Sequence, residues 1–288
     1  MGLNLHINKD KYIIIDHTYI YMSSITFVTG AWDIGRDKLD NTSSNHDWKR
    51  SFETYISRLR ELLNTGLPII VFGDYNIESI VNDYKNCSFI LYSNETLQNF
   101  EYFDRIDKIR TSPEWYAQPT AEWLKSSPQA SLPLYIPIQL NKLLCIKKAI
   151  EINPFHSDRF YWIDAGITKT HYPQLIIDMI PNLYKYNKFI FLSHLYRDNT
   201  EIHGFLREGM HKHCNVAFVD RIMKGFFWGG VIDQIDEILE LYHTVISTTL
   251  EDKYLGCEET YFTIMKYQRP ELFDIVYIPH CLNTMLNL

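Results

Sequence analysis

The most regular feature of the chain is a series of continuously apolar runs separated by more polar segments. The runs lie at 24–29, 68–72, 88–92, 159–163, 188–192, 216–219 and 275–278. Most of them do not alternate between apolar and polar positions, which is typical of strands buried on both faces. The pattern predicts a mixed or parallel sheet that is covered by helices.

Between these runs, apolar residues recur three and four positions apart, as on one face of a helix. We expect helices over 47–64, 139–152 and 233–249, and another that opens at Glu258 and ends before Pro270. Alternating strands and helices indicate an α/β fold of βαβ units. Ligands of open α/β sheets bind at the carboxyl ends of strands, so polar residues that follow apolar runs are candidates for function.

The first strand end carries Thr29, Gly30 and Trp32. A glycine at this point lets a backbone approach a ligand closely, and the tryptophan is placed to lie near a flat base. The alternative is an ordinary turn after the strand. Its position at a strand end favours the functional interpretation.

A second strand end carries Asp164, followed by Ala165 and Gly166. A carboxylate at the rim of the sheet can hold a divalent cation or a ribose hydroxyl. The alternative is an aspartate that caps the following helix. The two small residues favour the approach of a ligand.

Two later segments have weaker signals. The segment 225–230 contains Trp228, Gly229 and Gly230, and we expect a loop at the mouth of the helix from Asp233. Glycines there can present backbone N–H groups to a ligand, but a plain flexible loop has the same composition. The acids Glu258 and Glu259 open the last helix, where they also simply complement the helix dipole.

Composition narrows the class of protein. The chain has 288 residues, 46% of them hydrophobic, which excludes a disordered chain and a small disulfide-stapled module. Its formal net charge of −7 disfavours non-specific binding to nucleic acid, which depends on phosphate neutralisation. We expect a single domain over 1–288.

The cysteines and histidines do not predict a structural metal. The chain has five cysteines and no Cys-x-x-Cys motif, so reduced, buried thiols are expected. His211, His213 and Cys214 form a short run without a second cluster, and we expect a surface or structural role for it. His194 follows the run at 188–192 and is a weaker candidate for the site.

The chain shows no signal of a membrane segment. No apolar run approaches the roughly 18 residues that are needed to span a bilayer. The short apolar stretch at 12–22 contains Asp16 and His17 and does not resemble a signal peptide. We expect a cytoplasmic protein.

The motifs in their order resemble one known family. The segment 26–36, then Asn153-Pro154-Phe155, then 160–166, resemble the HtrL/YibB (WlaTC-like) family, which is associated with glycosyltransferases. The resemblance covers roughly 24–280. The last third is also similar to GT-A nucleotide-sugar transferases in general.

The resemblance implies a GT-A-like (Rossmann-related) fold, with a mixed, mostly parallel sheet flanked by helices. It also implies a UDP-sugar donor and Mn²⁺ or Mg²⁺. Thr29, Gly30 and Trp32 would flank the uridine. Asp164 matches the first acid of the Asp-x-Asp motif and would bind the metal together with His280. The second acid of that motif is replaced by Gly166, which weakens the expectation of strict metal dependence.

The remaining roles also come from the resemblance. Trp228, Gly229 and Gly230 would line the sugar and acceptor side. Lys142 would contact the donor by charge, although a solvated lysine on a helix surface is the alternative. Glu259, with Glu258 as second choice, would act at the donor sugar as nucleophile or ion-pair stabiliser, which favours retention.

The expected reaction is transfer of a hexose, glucose first and galactose second, from a UDP-sugar to a saccharide hydroxyl. Aromatic residues in the stretch 113–137, namely Trp115, Tyr116 and Trp123, could stack on an acceptor or simply pack the segment onto the core. A galactose on a glycan or on collagen-type hydroxylysine would fit as acceptor.

Two alternatives remain open at this point. One is a non-catalytic nucleotide- or sugar-binding protein with a degenerate transferase fold, suggested by Gly166. The other is a glycoside hydrolase with paired carboxylates, which has less support because it would not need the first strand end. The acceptor, the linkage and the oligomeric state are not predicted.

Overall fold

The structure, a computed structural model, describes residues 12–15, 18–21, 25–39, 48–196 and 201–278. Its strands, in chain order, are β1 (Tyr12–Ile15), β2 (Thr18–Tyr21), β3 (Ile25–Ala31), β4 (Ile69–Gly73), β5 (Cys87–Leu91), β6 (Arg159–Ile163), β7 (Phe189–Leu195), β8 (Glu201–Ile202), β9 (Phe205–Leu206), β10 (Arg221–Val231) and β11 (Phe273–Tyr277). Two pairs, β1 with β2 and β8 with β9, form small separate sheets. The other seven strands form the main sheet.

The main sheet has the strand order β11-β7-β10-β6-β3-β4-β5. Strand β10 runs antiparallel to β6 and β7, and the remaining neighbours pair in parallel. From β3 the chain first builds outward through β4 and β5, and then places β6 on the other side of β3. This mixed, mostly parallel sheet confirms the GT-A-like fold class, and the gap between β3 and β6 is its topological switch point.

Helices cover both faces of the sheet. They are α1 (Phe52–Leu63), α2 (Tyr75–Val81), α3 (Asn94–Gln98), α4 (Phe103–Arg110), α5 (Pro113–Tyr116), α6 (Pro128–Ser131), α7 (Tyr135–Ile152), α8 (Pro173–Leu183), α9 (Arg207–Cys214), α10 (Ile235–Glu251) and α11 (Glu258–Gln268). Short 3₁₀ turns lie at Arg36–Lys38, Glu122–Ser126, Ile167–Lys169 and Pro270–Leu272. Within the described residues, no helix is long and apolar enough to cross a membrane.

The continuously apolar runs arise because the central strands are buried on both faces. In β6, Phe160 and Trp162 join a core cluster with α7, α10 and α11, whereas Tyr161 and Ile163 join a second cluster with α1, α2 and α8. All five residues of β6 are buried. After Arg159, which opens the strand, no charged position shows which face of β6 packs against which layer of helices.

The predicted helices form, with shifted starts. Helix α1 begins later than expected because Ser51 caps it, its side chain accepting from the Thr54 N–H at 3.2 Å. Helix α7 begins earlier, at Tyr135, because Pro137 lies in the first turn, where a proline is tolerated. Asn153 ends α7 in the left-handed conformation, with φ 38°.

Two predictions about the later part of the chain were wrong. The run at 216–219 is not a strand but the connection after α9, which Asn215 ends in the left-handed conformation, and Phe218 is 59% exposed. The segment 225–230 is not a loop, since it lies inside β10 between β6 and β7. The expectation of one domain over 1–288 stays a prediction.

Candidate active site

A cavity of about 500 Å³ opens at the carboxyl ends of β3 and β6. This is the switch point of the sheet, where the loops after the two strands diverge and leave a crevice. Six of the residues expected at the site line it: Gly30, Trp32, Lys142, Asp164, Glu258 and Glu259. Its volume is within the range of small-molecule sites, which is about 300–1,000 Å³.

A buried lysine forms the base of the cavity. Lys142, on α7, is 4% exposed, and its Nζ donates to Asp164 Oδ1 at 2.9 Å and to Glu258 Oε1 at 2.6 Å. A third hydrogen bond goes to the Gly225 carbonyl at 3.2 Å. All three protons of the ammonium therefore have protein acceptors, so Lys142 binds protein carboxylates and is not left free to contact a donor.

The environment of Lys142 keeps it charged. Burial alone would lower its pKa, but the Asp164 and Glu258 carboxylates raise the pKa above its ordinary value. For Glu258, burial outweighs the attraction of its charged partner. Burial raises the pKa of Glu258 to about 7, and the nearby Glu259 and Asp164 carboxylates act in the same direction. The Lys142 ammonium acts in the opposite direction but does not offset them. Glu258 is thus the carboxyl of the site that changes protonation near neutral pH.

Asp164 is fixed by its own strand as well as by Lys142. Its Oδ1 also accepts from Trp162 Nε1 at 2.7 Å, and its backbone N–H donates to the Phe226 carbonyl at 3.0 Å. The side chain is 39% exposed to the cavity. The Asp164 side chain does not cap the 3₁₀ turn that follows, so the alternative of a capping aspartate is not supported.

Glu259 is held by a second set of partners. Its Oε2 lies 2.8 Å from His203 Nε2, and its Oε1 accepts from the Gly225 N–H at 3.0 Å, with Lys224 Nζ 4.0 Å away. Burial alone would raise the pKa of Glu259, but Lys224, His203 and the Gly225 N–H together hold it well below its usual range. Glu259 is therefore a fixed carboxylate that stays ionised.

Gly225 lies between the two glutamates, and its lack of a side chain leaves room for Glu258. A Cβ at this position would lie 2.1 Å from Glu258 Oε1. Its carbonyl accepts from Lys142 and its N–H donates to Glu259. Of the segment 225–230, Gly225 and Phe226 line the cavity.

Trp228, Gly229 and Gly230 do not line the cavity, which corrects the expectation that they face sugar and acceptor. Trp228 is fully buried and stacks on Trp162 at 6.1 Å. A Cβ at Gly229 would lie 2.2 Å from the Phe160 carbonyl oxygen, and one at Gly230 would lie 2.4 Å from that of Lys188. The glycines are required by the close approach of neighbouring strands, not by a ligand.

The first strand end is placed as expected, but its residues contact one another. Trp32 is 9% exposed, and its Nε1 donates to the Tyr92 carbonyl at 2.7 Å. A Cβ at Gly30 would lie 2.2 Å from the Trp32 ring, so the glycine makes room for the indole. Thr29 is fully buried, and its Oγ1 has no hydrogen-bond partner among the described residues.

The described residues supply only part of a metal site. They contain no group of three or more His, Cys, Asp or Glu that could hold a metal ion. Asp164 Oδ1 is taken by Lys142 and Trp162, which leaves its second oxygen for a cation. His280 lies outside the described residues. A divalent cation here would need diphosphate oxygens and water to complete its shell, which Mg²⁺ and Mn²⁺ accept.

Other candidates lie elsewhere. His194 is buried in β7 outside the cavity, and burial lowers its pKa to about 4. His213 lies 3.0 Å from Asp252 and does not line the cavity. Trp115 is a core residue whose Nε1 donates to the Leu255 carbonyl, whereas Trp123 is half-buried and hydrogen-bonded to Glu201. Tyr116 also packs against the core.

Sequence reasoning missed several polar residues that line the cavity. Among them are Arg36, Arg50, Gln129, Lys169 and His203. Arg36 is the last residue of the segment 26–36, so its position after a strand could have identified it. The others come from separate loops and helices, and no spacing in the chain connects them.

The sequence belongs to a described family. The model of the family described as "Bacterial protein of unknown function (HtrL_YibB)" matches residues 23–280. The chain is thus a member of the HtrL/YibB family, as its motifs suggested. It is 23% identical to the protein HtrL of Escherichia coli strain K12 over 269 residues, which cover 89% of this chain and 88% of that protein.

Solved structures give distant similarities. A 4-diphosphocytidyl-2C-methyl-D-erythritol synthase from Anaerococcus prevotii has a TM-score of 0.43 and 11% identity, covering 92% of this chain and 95% of its own. Mouse xyloside xylosyltransferase 1 has a TM-score of 0.40 and 11% identity, covering 88% and 85%. Neither similarity is close enough to assign an activity.

Proposed function

We propose that the protein is a glycosyltransferase that moves a hexose from a UDP-sugar to a hydroxyl group of a saccharide. The observation that carries the proposal is the meeting of Asp164, Glu258 and Glu259 in one cavity at the switch point of the sheet. Nucleotides bind at this point in open α/β sheets. An ionised carboxylate and a strand-end aspartate are the groups that transfer from a sugar diphosphate requires.

The reaction breaks the bond between C1 of the sugar and a diphosphate oxygen. Positive charge develops on the sugar ring, and a carboxylate near C1 stabilises it. Glu259 suits this role because its pKa is held below the usual range and its two oxygens are fixed by His203 and Gly225. Because these contacts already hold the carboxylate in place, little free energy is needed to reorient it in the transition state.

We assign Glu259 as nucleophile or ion-pair stabiliser on the face opposite the leaving group, which gives retention of configuration. We assign Glu258 an indirect role, through Lys142. Its oxygen binds Lys142, which in turn fixes Asp164 Oδ1. Glu258 is thus a positioning residue for the aspartate.

The free oxygen of Asp164, with His280 as a second ligand, is the proposed contact for Mn²⁺ or Mg²⁺. A divalent cation there would neutralise charge on the departing diphosphate. Gly30 and Trp32 remain the proposed surroundings of the uridine, whereas Thr29 is fully buried and does not line the cavity. Because Trp32 is mostly buried, its exposed edge and the backbone of β3 are what a base would meet.

Glucose is the first choice of donor sugar and galactose the second, as the family resemblance implied. The proposed acceptor is a galactose on a glycan or on a collagen-type hydroxylysine. Of the aromatic residues in the stretch 113–137, Tyr135 lines the cavity, whereas Trp115, Tyr116 and Trp123 do not, so Tyr135 is the proposed stacking surface for the acceptor.

The test is turnover by the purified full chain. The protein is mixed with UDP-glucose, UDP-galactose or other UDP-sugars, with Mn²⁺, Mg²⁺ or EDTA, and UDP release is measured with and without saccharide acceptors. We expect release that rises with a suitable acceptor. No release, together with no calorimetric binding of any UDP-sugar, contradicts the proposal.

One observation favours a second candidate, a non-catalytic nucleotide- or sugar-binding protein. Each carboxylate at the base of the cavity already has a cationic partner, which satisfies it without a substrate. In that case UDP binds, no UDP-sugar is consumed, and Glu259→Gln leaves the affinity unchanged.

A further inference from the structure

Arg36 lines the cavity and contributes a cationic guanidinium to it. It follows β3 in the turn Arg36–Lys38 and is half-buried. Its Nη1 donates to the Tyr55 hydroxyl at 2.6 Å and its Nε to the Trp48 carbonyl at 3.3 Å. The guanidinium carbon also lies 5.7 Å from the centre of the Tyr135 ring.

All three of these partners are neutral. They fix the orientation of the guanidinium but leave its charge in place, and within the described parts of the chain no carboxylate pairs with it. A half-buried cation without a counter-charge is costly unless a ligand supplies one. The planar guanidinium, fixed in advance, suits two parallel hydrogen bonds to a phosphate or carboxylate.

Two further cations line the same cavity. Lys169 ends the 3₁₀ turn after Asp164, and Arg50 is tied to Arg36 by a backbone hydrogen bond of 3.4 Å. Both are exposed, and in the described ranges neither forms an ion pair. Asp33, an exposed acid of the same loop, also lines the cavity, and its Oδ1 accepts from the Gly35 N–H at 3.1 Å.

The charges in the cavity are therefore separated. The acids at its base, Asp164, Glu258 and Glu259, already have Lys142, His203 and Lys224 as partners. On the side of Arg36, the three cations have no ion-pair partner in the part of the chain that the structure describes. An anionic ligand would bind on that side, with an uncharged part directed to the carboxylates.

We propose that Arg36, assisted by Arg50 and Lys169, is the binding site for the diphosphate of the donor. This proposal rests on the proposed function, because it gives the leaving group a place within the same cavity. The site binds the diphosphate before reaction and stabilises the charge that it gains as the bond to C1 breaks. If a divalent cation binds at Asp164 as proposed, the protein's own cations would share with it the binding of the leaving group.

Calorimetric titration with inorganic pyrophosphate, UDP and uridine separates the phosphate contact from the nucleoside contact. The variants are Arg36→Gln, Arg36→Lys and, as the matched control, Arg60→Gln, which changes an exposed arginine of α1 outside the cavity. Arg36→Gln is expected to weaken pyrophosphate and UDP binding by about tenfold or more, since hydrogen bonds to charged groups have roughly that effect. Uridine binding stays the same, Arg36→Lys falls between, and Arg60→Gln matches the wild type.

If Arg36→Gln fails to fold, Lys169→Gln carries the test, because this exposed side chain has no hydrogen bond or ion pair within the described residues. A smaller loss of pyrophosphate and UDP affinity, with uridine unchanged, supports the proposal. Unchanged affinity for the two anions, an equal loss for uridine, or no binding of either anion to the wild type overturns it.

The outcome is distinguishable from that of the proposed function. Arg36-dependent binding of pyrophosphate without turnover of any UDP-sugar supports the anion site and contradicts the transferase. Turnover of a UDP-sugar by Arg36→Gln with the wild-type KM supports the transferase and overturns the anion site.

Discussion

Lys142 Nζ donates to Asp164 Oδ1 at 2.9 Å and to Glu258 Oε1 at 2.6 Å, so one buried ammonium connects a strand end with a helix start. The strand end belongs to β6 and the helix is α11, which are 94 residues apart from Asp164 to Glu258 by their numbers. The lysine thereby fixes the relative position of the two acids at the base of the cavity.

Lys142→Met is expected to destabilise the protein by about 3 kcal/mol or more, because it leaves a buried carboxyl without its partner. The double variant Lys142→Met with Glu258→Gln should recover part of that loss, since the unpaired charge is gone. Urea unfolding of the wild type, both single variants and the double variant measures the coupling. A double variant no more stable than Lys142→Met alone contradicts the pairing.

The raised pKa of Glu258 predicts that the stability of the fold depends on pH. Burial raises the pKa of this carboxyl to about 7 from an ordinary value of 4.5, so between these pH values the folded state holds a proton that the unfolded state has released. The contribution of this carboxyl to stability therefore falls as pH rises through that window. His194, whose pKa is lowered to about 4, acts in the opposite direction between 4 and 6.5, so the comparison must be made against a variant.

The variant is Glu258→Gln, which keeps His194 unchanged. We expect the stability of Glu258→Gln relative to the wild type to increase from pH 5 to pH 7.5, as measured by urea unfolding at both values. A difference that stays constant or declines would show that the pKa of Glu258 is not raised.

Glu259→Gln is expected to lower kcat by about two orders of magnitude or more while donor affinity changes little, since the carboxylate acts mainly in the transition state. The matched control is Glu240→Gln, an exposed glutamate of α10. Steady-state UDP release and calorimetric binding measure the two effects. An equal loss of donor affinity would move Glu259 into a binding role.

Gly229→Ala tests the structural role of the glycine pair. The new Cβ would meet the Phe160 carbonyl at 2.2 Å, and the glycine has φ 142°, so we expect a loss of about 3 kcal/mol or more. Gly166→Ala is the control, because its Cβ would meet Tyr55 at an ordinary 3.8 Å. Thermal unfolding compares the two. Similar stability of both variants would contradict the close strand contact.

Much of the fold was readable from the chain because buried parallel strands need continuous apolar runs. The run at 68–72 became β4 with a shift of one residue, and the run at 159–163 became β6 residue for residue. Strand β10 was not readable, because its glycines suggest a loop locally, and only the packing of Phe160 and Lys188 against it explains them.

The site was partly readable for the same reason. Strand-end position identified Asp164, and the family resemblance identified Glu258, Glu259 and Lys142. It could not show that Lys142 binds the two acids, because that contact joins three elements that are distant in sequence. His203 lies in the short connection between β8 and β9, and no spacing relates it to Glu259.

The central claim is that Asp164 acts in the transfer of a sugar from a nucleotide donor. Asp164→Asn keeps an oxygen that can accept from Lys142 and Trp162, so the fold should remain intact, while the charge is lost. The most direct measurement is UDP release from a UDP-sugar by Asp164→Asn, beside Asp178→Asn, which changes an exposed aspartate of α8. We predict that Asp164→Asn, with an unchanged circular dichroism spectrum, loses transfer, and that Asp178→Asn keeps it. Transfer by Asp164→Asn at the wild-type rate would contradict the account.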